Sequence, residues 1–231
     1  MSAQYSHYDA LENMKKAVAD GHHRAVIGGM WDELGALQKQ FLLSQGLKPE
    51  HRFIDMGCGS LRAGVPLTEY LDAQRYYGVD ISPDLLVAGY EREIVPAGLE
   101  AKLPRSNLAA NADFDATGFG VKFDYGIAQS VFTHMPITRL TDCLTALRPV
   151  FTEGGRFYVT YFERPDDADP AAPLPHEPGG VVTHPDRDPY DTTLAALSGA
   201  TPSGWRLNVM GRWDHPRDQR MALFIRETGQ D

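Results

Sequence analysis

The sequence predicts an α/β fold: a mostly parallel sheet with helices packed on both faces. Three observations predict it. From residue 51 to residue 163, short apolar runs alternate with helical segments. The first of those runs, "RFIDMG", breaks on a glycine turn and passes directly into a helix. The chain then closes on two β-rich runs whose link, "DHPRD", is too short for a parallel crossover and makes an antiparallel hairpin. At 231 residues the chain is of single-domain size.

Taken in order, residues 8–20 and 30–44 read as helices and, with the residues up to 48, form an N-terminal helical cap. In the second helix Trp31, Leu34, Leu37, Phe41 and Leu42 recur at helical spacing as a core-facing stripe, and "QGLKP" stops it with a glycine. Residues 51–163 are the sheet-forming core. "AGVPLTEYLD" is a helix with Pro66 in its first turn, and "RYYGVDIS" is the second strand. "SPDLLVAGYEREI" follows as a helix with Ser82 at its N-cap and Pro83 at its first position. "SNLAANAD" and "FDYGIAQS" supply the third and fourth strands. "MPITRLTDCLTALRPVF" is a helix, and "GGRFYVTYFE" is a strand rich in β-branched and aromatic residues.

Residues 164–190 break the rhythm. They hold seven of the sixteen prolines, with Gly179 and Gly180, and read as a long loop or lid. Residues 191–231 add a short helix near 190–197 and the hairpin.

Composition narrows the partners. A net charge of −9, with no Lys/Arg run, argues against a nucleic-acid backbone as ligand. No apolar stretch approaches the roughly 20 residues that span a bilayer, and the N-terminus has no apolar signal region. Two cysteines, Cys58 and Cys143, without metal or redox spacing read as reduced thiols of a cytoplasmic protein. No ordered Cys/His/carboxylate set suggests a metal.

A glycine-rich strand-to-helix turn offers unpaired backbone N–H groups to a ligand. In "FIDMGCGSLRAG", Gly57 and Gly59 fit the dinucleotide fingerprint, but Arg62 stands where its third glycine should be. Asp80 ends the second strand about 20 residues on, where a carboxylate accepts ribose hydroxyls in either a dinucleotide or another nucleoside cofactor. None of the ten tyrosines is followed four residues later by a lysine, the pair used by compact oxidoreductases.

In this order the motifs resemble those of the class I S-adenosylmethionine-dependent methyltransferases. Asp55 stands two residues before Gly57-x-Gly59, although the family's third glycine falls at Leu61. "NADF" and "QSVFTHMP" sit where the family has its third and fourth motifs. The resemblance implies a Rossmann-like, seven-stranded, mostly parallel sheet with an antiparallel C-terminal strand, and S-adenosyl-L-methionine as cofactor. It implies that Asp55 orients the cofactor's ammonium, and that Gly57, Cys58 and Gly59 approach its amino-acid end. Asp80 would hold the ribose, with Ile81 and Phe114 against the adenine, Asp113 on its amino group, and Gln129 and Ser130 beside the methyl.

For the acceptor, a small polar molecule methylated at oxygen is expected. A hydroxyl nucleophile benefits from a base near neutral pKa, which makes His134, past the fourth strand, the catalytic candidate. His184 in the Pro-rich segment and Arg217 in the hairpin link are candidate substrate contacts. His176 reads as a solvated loop histidine, His22 and His23 as surface positions that could line a lid, and His215 and Gln219 as part of the Arg217 cluster. "GGMWDELGALQ", "GCGSLRAG", "QSVFTHMP" and "HPRDQ" together are similar to a group of bacterial methyltransferases, some of whose relatives act on sugars or secondary metabolites. A non-catalytic S-adenosylmethionine- or S-adenosylhomocysteine-binding protein, a nucleotide-dependent oxidoreductase or epimerase, and a protein methylase remain open alternatives from the sequence.

Overall fold

The structure, a computed structural model, describes residues 11–229, with side chains from Met14 onward. The first part of the expected 8–20 helix and of the N-terminal cap lies outside the described residues, as do the last two residues.

Three helices lead the described chain: α1 (Leu11–Ala19), α2 (His23–Val26) and α3 (Trp31–Ser44). Asp32 and Glu33 occupy the first turn of α3, where the exposed N–H groups favour negative charge. Gly46, at φ +91°, takes the chain out of that helix. Alternation then begins with β1 (Phe53–Met56), α4 (Gly64–Tyr70), β2 (Tyr76–Asp80) and α5 (Pro83–Gly89), the last extended by a π turn over Tyr90–Ile94. Ser82 caps α5 as expected, its hydroxyl accepting from the Leu85 N–H at 3.2 Å. Next come β3 (Leu108–Ala110), β4 (Phe123–Ala128), α6 (Thr138–Leu147) and β5 (Phe151–Glu163). Short strands β6 (Leu174–His176), β7 (Val181–Thr183) and β8 (Asp191–Thr192) follow, then α7 (Leu194–Gly199), β9 (Trp205–Arg212) and β10 (Arg220–Arg226).

Seven strands of the described residues run in the order β3-β2-β1-β4-β5-β10-β9, with β10 antiparallel between β5 and β9. That is the sheet the motif order implied. β1 pairs in parallel with β2 and β4, so their carboxyl ends share one edge. Side chains alternate across the sheet and feed two cores. Phe53, Tyr125, Ile127 and Tyr158 pack with Leu42 of α3 and Leu67 of α4. Ile54, Met56, Phe157 and Val159 pack with Leu140, Cys143 and Leu144 of α6 on the other face. Leu67 and Leu144 are fully enclosed, so truncating either to alanine should cost about 2–5 kcal/mol.

The Pro-rich segment departs from the expected bare loop. β6 and β7 form a small antiparallel hairpin, and β8 adds an eighth strand to the sheet by pairing with the end of β5 at Phe162 and Glu163. The reason is a buried ion pair. Arg164 donates to both Asp191 carboxylate oxygens, at 2.7 and 2.9 Å, and Thr183 Oγ1 donates to the same carboxylate at 2.6 Å. β8 occupies the start of the stretch expected to be helical, and α7 begins only at Leu194. Trp31 is half-buried rather than in the core, with the Arg24 guanidinium 4.6 Å from its ring centre. Among the described residues no helix is long and apolar enough to cross a membrane.

Candidate functional site

At the carboxyl edge of β1, β2 and β4 lies a cavity of about 320 Å³, within the range of small-molecule sites. The turn after β1 forms its floor. Gly57 and Gly59 have φ of +75° and +54°, and a Cβ on Gly57 would lie 2.4 Å from Val131 Cγ2. Only glycine admits the backbone there. Leu61, at the position of the missing third glycine, nevertheless keeps a left-handed φ of +69° and is wholly buried. Its strain of about 1–3 kcal/mol is offset by about 1.5–3 kcal/mol from burying the side chain.

Asp80 joins this turn to the next. Its carboxylate accepts from the Gly59 N–H at 2.7 Å and the Ser82 N–H at 2.8 Å, and each oxygen keeps a second lone pair for a ligand hydroxyl. Burial pushes this carboxyl up, against the pull of those backbone N–H groups. Asp55 accepts from the Tyr76 hydroxyl at 2.8 Å, and burial raises its carboxyl to about 7. Burial also pushes the Cys58 thiol up, so the thiol is neutral.

Of the expected site residues, Asp55, Gly57, Cys58, Gly59, Asp80, Ile81, Phe114, Gln129, Ser130 and His134 meet on the cavity wall. Phe114, at φ +59°, lies 6.0 Å from Phe132 and beneath the Arg139 guanidinium at 5.2 Å. Three expectations change. Asp113 is exposed and off the wall, because Asn111 Oδ1 accepts from the N–H of Asp113 and of Asp115 and turns the chain so that Asn111 and Ala112 face inward. His184 is also off the wall, its backbone bonded to Pro189 and Asp191 beside β8. Arg217 donates to the Gly28 carbonyl at 2.8 Å and fastens the segment that covers the cavity, rather than lining it.

Arg62 has the same task. From the position where a dinucleotide site needs glycine, its Nη1 donates to the carbonyls of Ile27 and Gly29 at 3.2 and 3.0 Å. Ser60 Oγ donates to the His23 carbonyl at 3.0 Å. His23 is buried and sits 2.7 Å from Glu93, which Arg24 also binds with two N–H groups at 2.7 Å. Burial pushes the Glu93 carboxyl up, but the Arg24 and His23 bonds outweigh it and leave the group below its ordinary range. Ile27 and Gln38 thus become cavity wall, contributed by the N-terminal helices.

On the opposite side, His134 Nδ1 lies 2.7 Å from Asp188 Oδ1, an acid contributed by the Pro-rich segment. Neither His176 nor His215 is solvated. His176 is buried against Thr183 Oγ1 at 2.8 Å, and burial lowers it. His215 lies 3.2 Å from the Gln129 amide, stacked on Trp213, and burial with Arg62 and Arg217 nearby lowers it to about 3. A ring that is neutral at every working pH is a prop for Gln129 and not a proton carrier. Gln219 accepts from Ser130 Oγ at 3.0 Å and completes that support.

Sequence reasoning missed Gln38, Asp188, Met135 and Arg139. Only Arg139 had a local signal, as a cation in the first turn of the helix after the fourth motif. No group of three or more metal-ligating side chains occurs among the described residues.

Comparison with known proteins bears on the domain and its fold. Residues 54–157 match the family model of a methyltransferase domain. Over 126 residues, 52% of this chain and 44% of the other, the sequence is 29% identical to the 18S rRNA (guanine(1575)-N(7))-methyltransferase of Saccharomyces cerevisiae. The match therefore spans less than half the length of that relative. The fold resembles magnesium protoporphyrin IX methyltransferase of Synechocystis with bound S-adenosylhomocysteine, with a TM-score of 0.58 at 16% identity over 92% of this chain and 99% of that one. It also resembles an S-adenosylmethionine-bound amino pentose methyltransferase from Micromonospora echinaspora, with a TM-score of 0.59 at 14% identity over 90% and 96%. The glycine turn, the sheet order and these matches converge: residues 54–157 are a methyltransferase domain, on a sheet that resembles that of the class I S-adenosylmethionine-dependent methyltransferases.

Proposed function

We propose that this chain transfers a methyl group from S-adenosylmethionine to an oxygen of a small polar acceptor. The residues on the cavity wall fit the cofactor. The Gly57–Gly59 turn leaves room where any Cβ would clash, and Asp80 has lone pairs for ribose hydroxyls. Asp55 would face the amino-acid end, Ile81 and Phe114 the adenine, and Gln129 and Ser130 the sulfonium. The cofactor supplies an electrophilic methyl; orientation is the protein's main contribution.

The observation that carries the acceptor reading is His134 on the cavity wall, held from behind by Asp188 of the Pro-rich segment. With Nδ1–H donating to the Asp188 carboxylate, the ring's lone pair is on Nε2. That atom receives the proton of an acceptor hydroxyl, and Asp188 stabilises the imidazolium that results. The covering segment, fastened by Arg62 and Arg217, puts Ile27 over one side of the cavity and narrows its opening to water.

The yeast relative carries RNA in its name, but a net charge of −9 disfavours an RNA acceptor here. The free, buried Cys58 and Cys143 suit a reducing compartment, and the cytoplasm is the location this reading takes. Incubation of the full chain with methyl-labelled S-adenosylmethionine and fractionated cell extract tests the proposal. Label in the small-molecule pool, stable to base as an ether is, is expected; label in the RNA or protein pool would overturn the acceptor class.

A further inference from the structure

Gln38 is 3% exposed and lines the cavity, and its Oε1 has no hydrogen-bond partner. Neither the glycine turn nor the family match, which begins at residue 54, gives it a role. Its place is fixed on both sides along α3. Three residues earlier, Gly35 packs so closely on the turn after β1 that a Cβ there would lie 2.9 Å from the Arg62 carbonyl oxygen. Three residues later, Phe41 meets Tyr158 and Trp213 edge-on at 5.2 and 5.3 Å. Residues three apart share a helix face, so Gln38 looks down on the sheet between these contacts.

The sheet presents Asp55 to the same face. Asp55 is in register with Ile127, and Ile127 with Tyr158. Partners in register on parallel strands point the same way, and Phe53, Ile127 and Tyr158 all join the core that α3 covers. Two residues that carry buried acceptors therefore bound one cavity: Asp55 on the sheet and Gln38 on the helix above it. A buried acceptor left without a donor is rare in a folded protein and calls for an explanation. A ligand donor is one, and a cationic N–H group suits both partners because it bonds each and balances the carboxylate's charge.

Resting on the cofactor assignment above, we propose that Gln38 Oε1 and the Asp55 carboxylate together receive the α-ammonium of S-adenosylmethionine. Gln38 then makes the placement of α3, and of the segment ahead of it, part of cofactor recognition.

Two ligands test this on the full chain: S-adenosylhomocysteine, and 5′-methylthioadenosine, which keeps the nucleoside and lacks the amino-acid end. Gln38→Leu should weaken the first about tenfold to a hundredfold and leave the second unchanged, which also shows that the variant is folded. Gln38→Glu, which keeps an acceptor in place, should retain S-adenosylhomocysteine binding. Equal losses for both ligands in a folded leucine variant would make Gln38 structural and overturn the proposal. Unchanged S-adenosylhomocysteine affinity with a raised KM for the methyl acceptor would overturn it in favour of an acceptor contact. Should the leucine variant bind neither ligand, the glutamate variant decides: loss of S-adenosylhomocysteine alone overturns, and retention of both supports. A wild-type chain that binds neither ligand removes the cofactor assignment itself, a result separate from all of these.

Discussion

On the sheet side of the cavity the fastening bonds are close in sequence. Asp80 reaches Ser82, 2 residues on, and Gly59, 21 residues back. On the covering side they are long: Arg62 to Ile27 spans 35 residues, His134 to Asp188 spans 54, and Arg217 to Gly28 spans 189. The first side is two strand-to-helix turns whose shape is set by local backbone. The second is assembled from three distant segments by side chains gripping carbonyls and carboxylates. On the reading proposed above, the sheet side holds the nucleoside, whereas the covering side reaches the ligand through single side chains set outside the two turns. That division is where an acceptor preference would be set.

The comparison can be broken most sharply at His134. His134→Asn should lower kcat about 10²- to 10⁴-fold while S-adenosylhomocysteine affinity stays as in the wild type. A parallel loss of cofactor binding would mean the two sides are one unit.

The next effect is one of pH. Burial holds the Asp55 carboxyl at about 7, well above its ordinary range, and only its ionised form balances an ammonium. Binding therefore pulls the group's pKa down and releases a proton. Affinity for S-adenosylhomocysteine should rise as pH climbs through about 7 and level off above it, by at most about tenfold per pH unit. The raised value also means that the empty protein loses stability as pH rises from the ordinary carboxylate range toward 7, and loses no more beyond. Calorimetry in buffers of different ionisation enthalpy reads the proton release directly, and Asp55→Asn should flatten the profile.

The smallest effect belongs to the cover. Arg217→Ala removes one bond to the Gly28 carbonyl, about 1 kcal/mol, and should speed S-adenosylhomocysteine dissociation several-fold with little change in Tm. Stopped-flow release measures it. An unchanged release rate would show that Arg217 does not fasten the cover.

The same division explains what the sequence disclosed. The parallel sheet, the antiparallel last strand and the turn glycines Gly57 and Gly59 were legible because burial periodicity and turn chemistry are written in neighbouring residues, Asp80 through its distance from those glycines, and Asp55 and Cys58 through the resemblance of their motif. β6, β7 and β8 were not, because their pairing depends on Arg164 finding Asp191, 27 residues away, inside a segment whose prolines read as loop. Arg62 reads in sequence as a failed glycine, and only the fold reveals the carbonyls it grips. Leu61 keeps the left-handed turn of the glycine it replaces, which sequence alone cannot show. Gln38 and Asp188 carry no local pattern at all. Asp113 went astray for the converse reason: a motif fixed its position along the chain, but the Asn111 turn sets which way it points.

Isothermal titration of the full chain with S-adenosylhomocysteine, beside Asp80→Ala, tests the central assignment most directly. One site per chain is expected, weakened about a hundredfold or more when the two hydroxyl contacts to the carboxylate are lost. No binding by the wild type, or equal affinity in Asp80→Ala, would contradict the placement of the nucleoside at the end of β2.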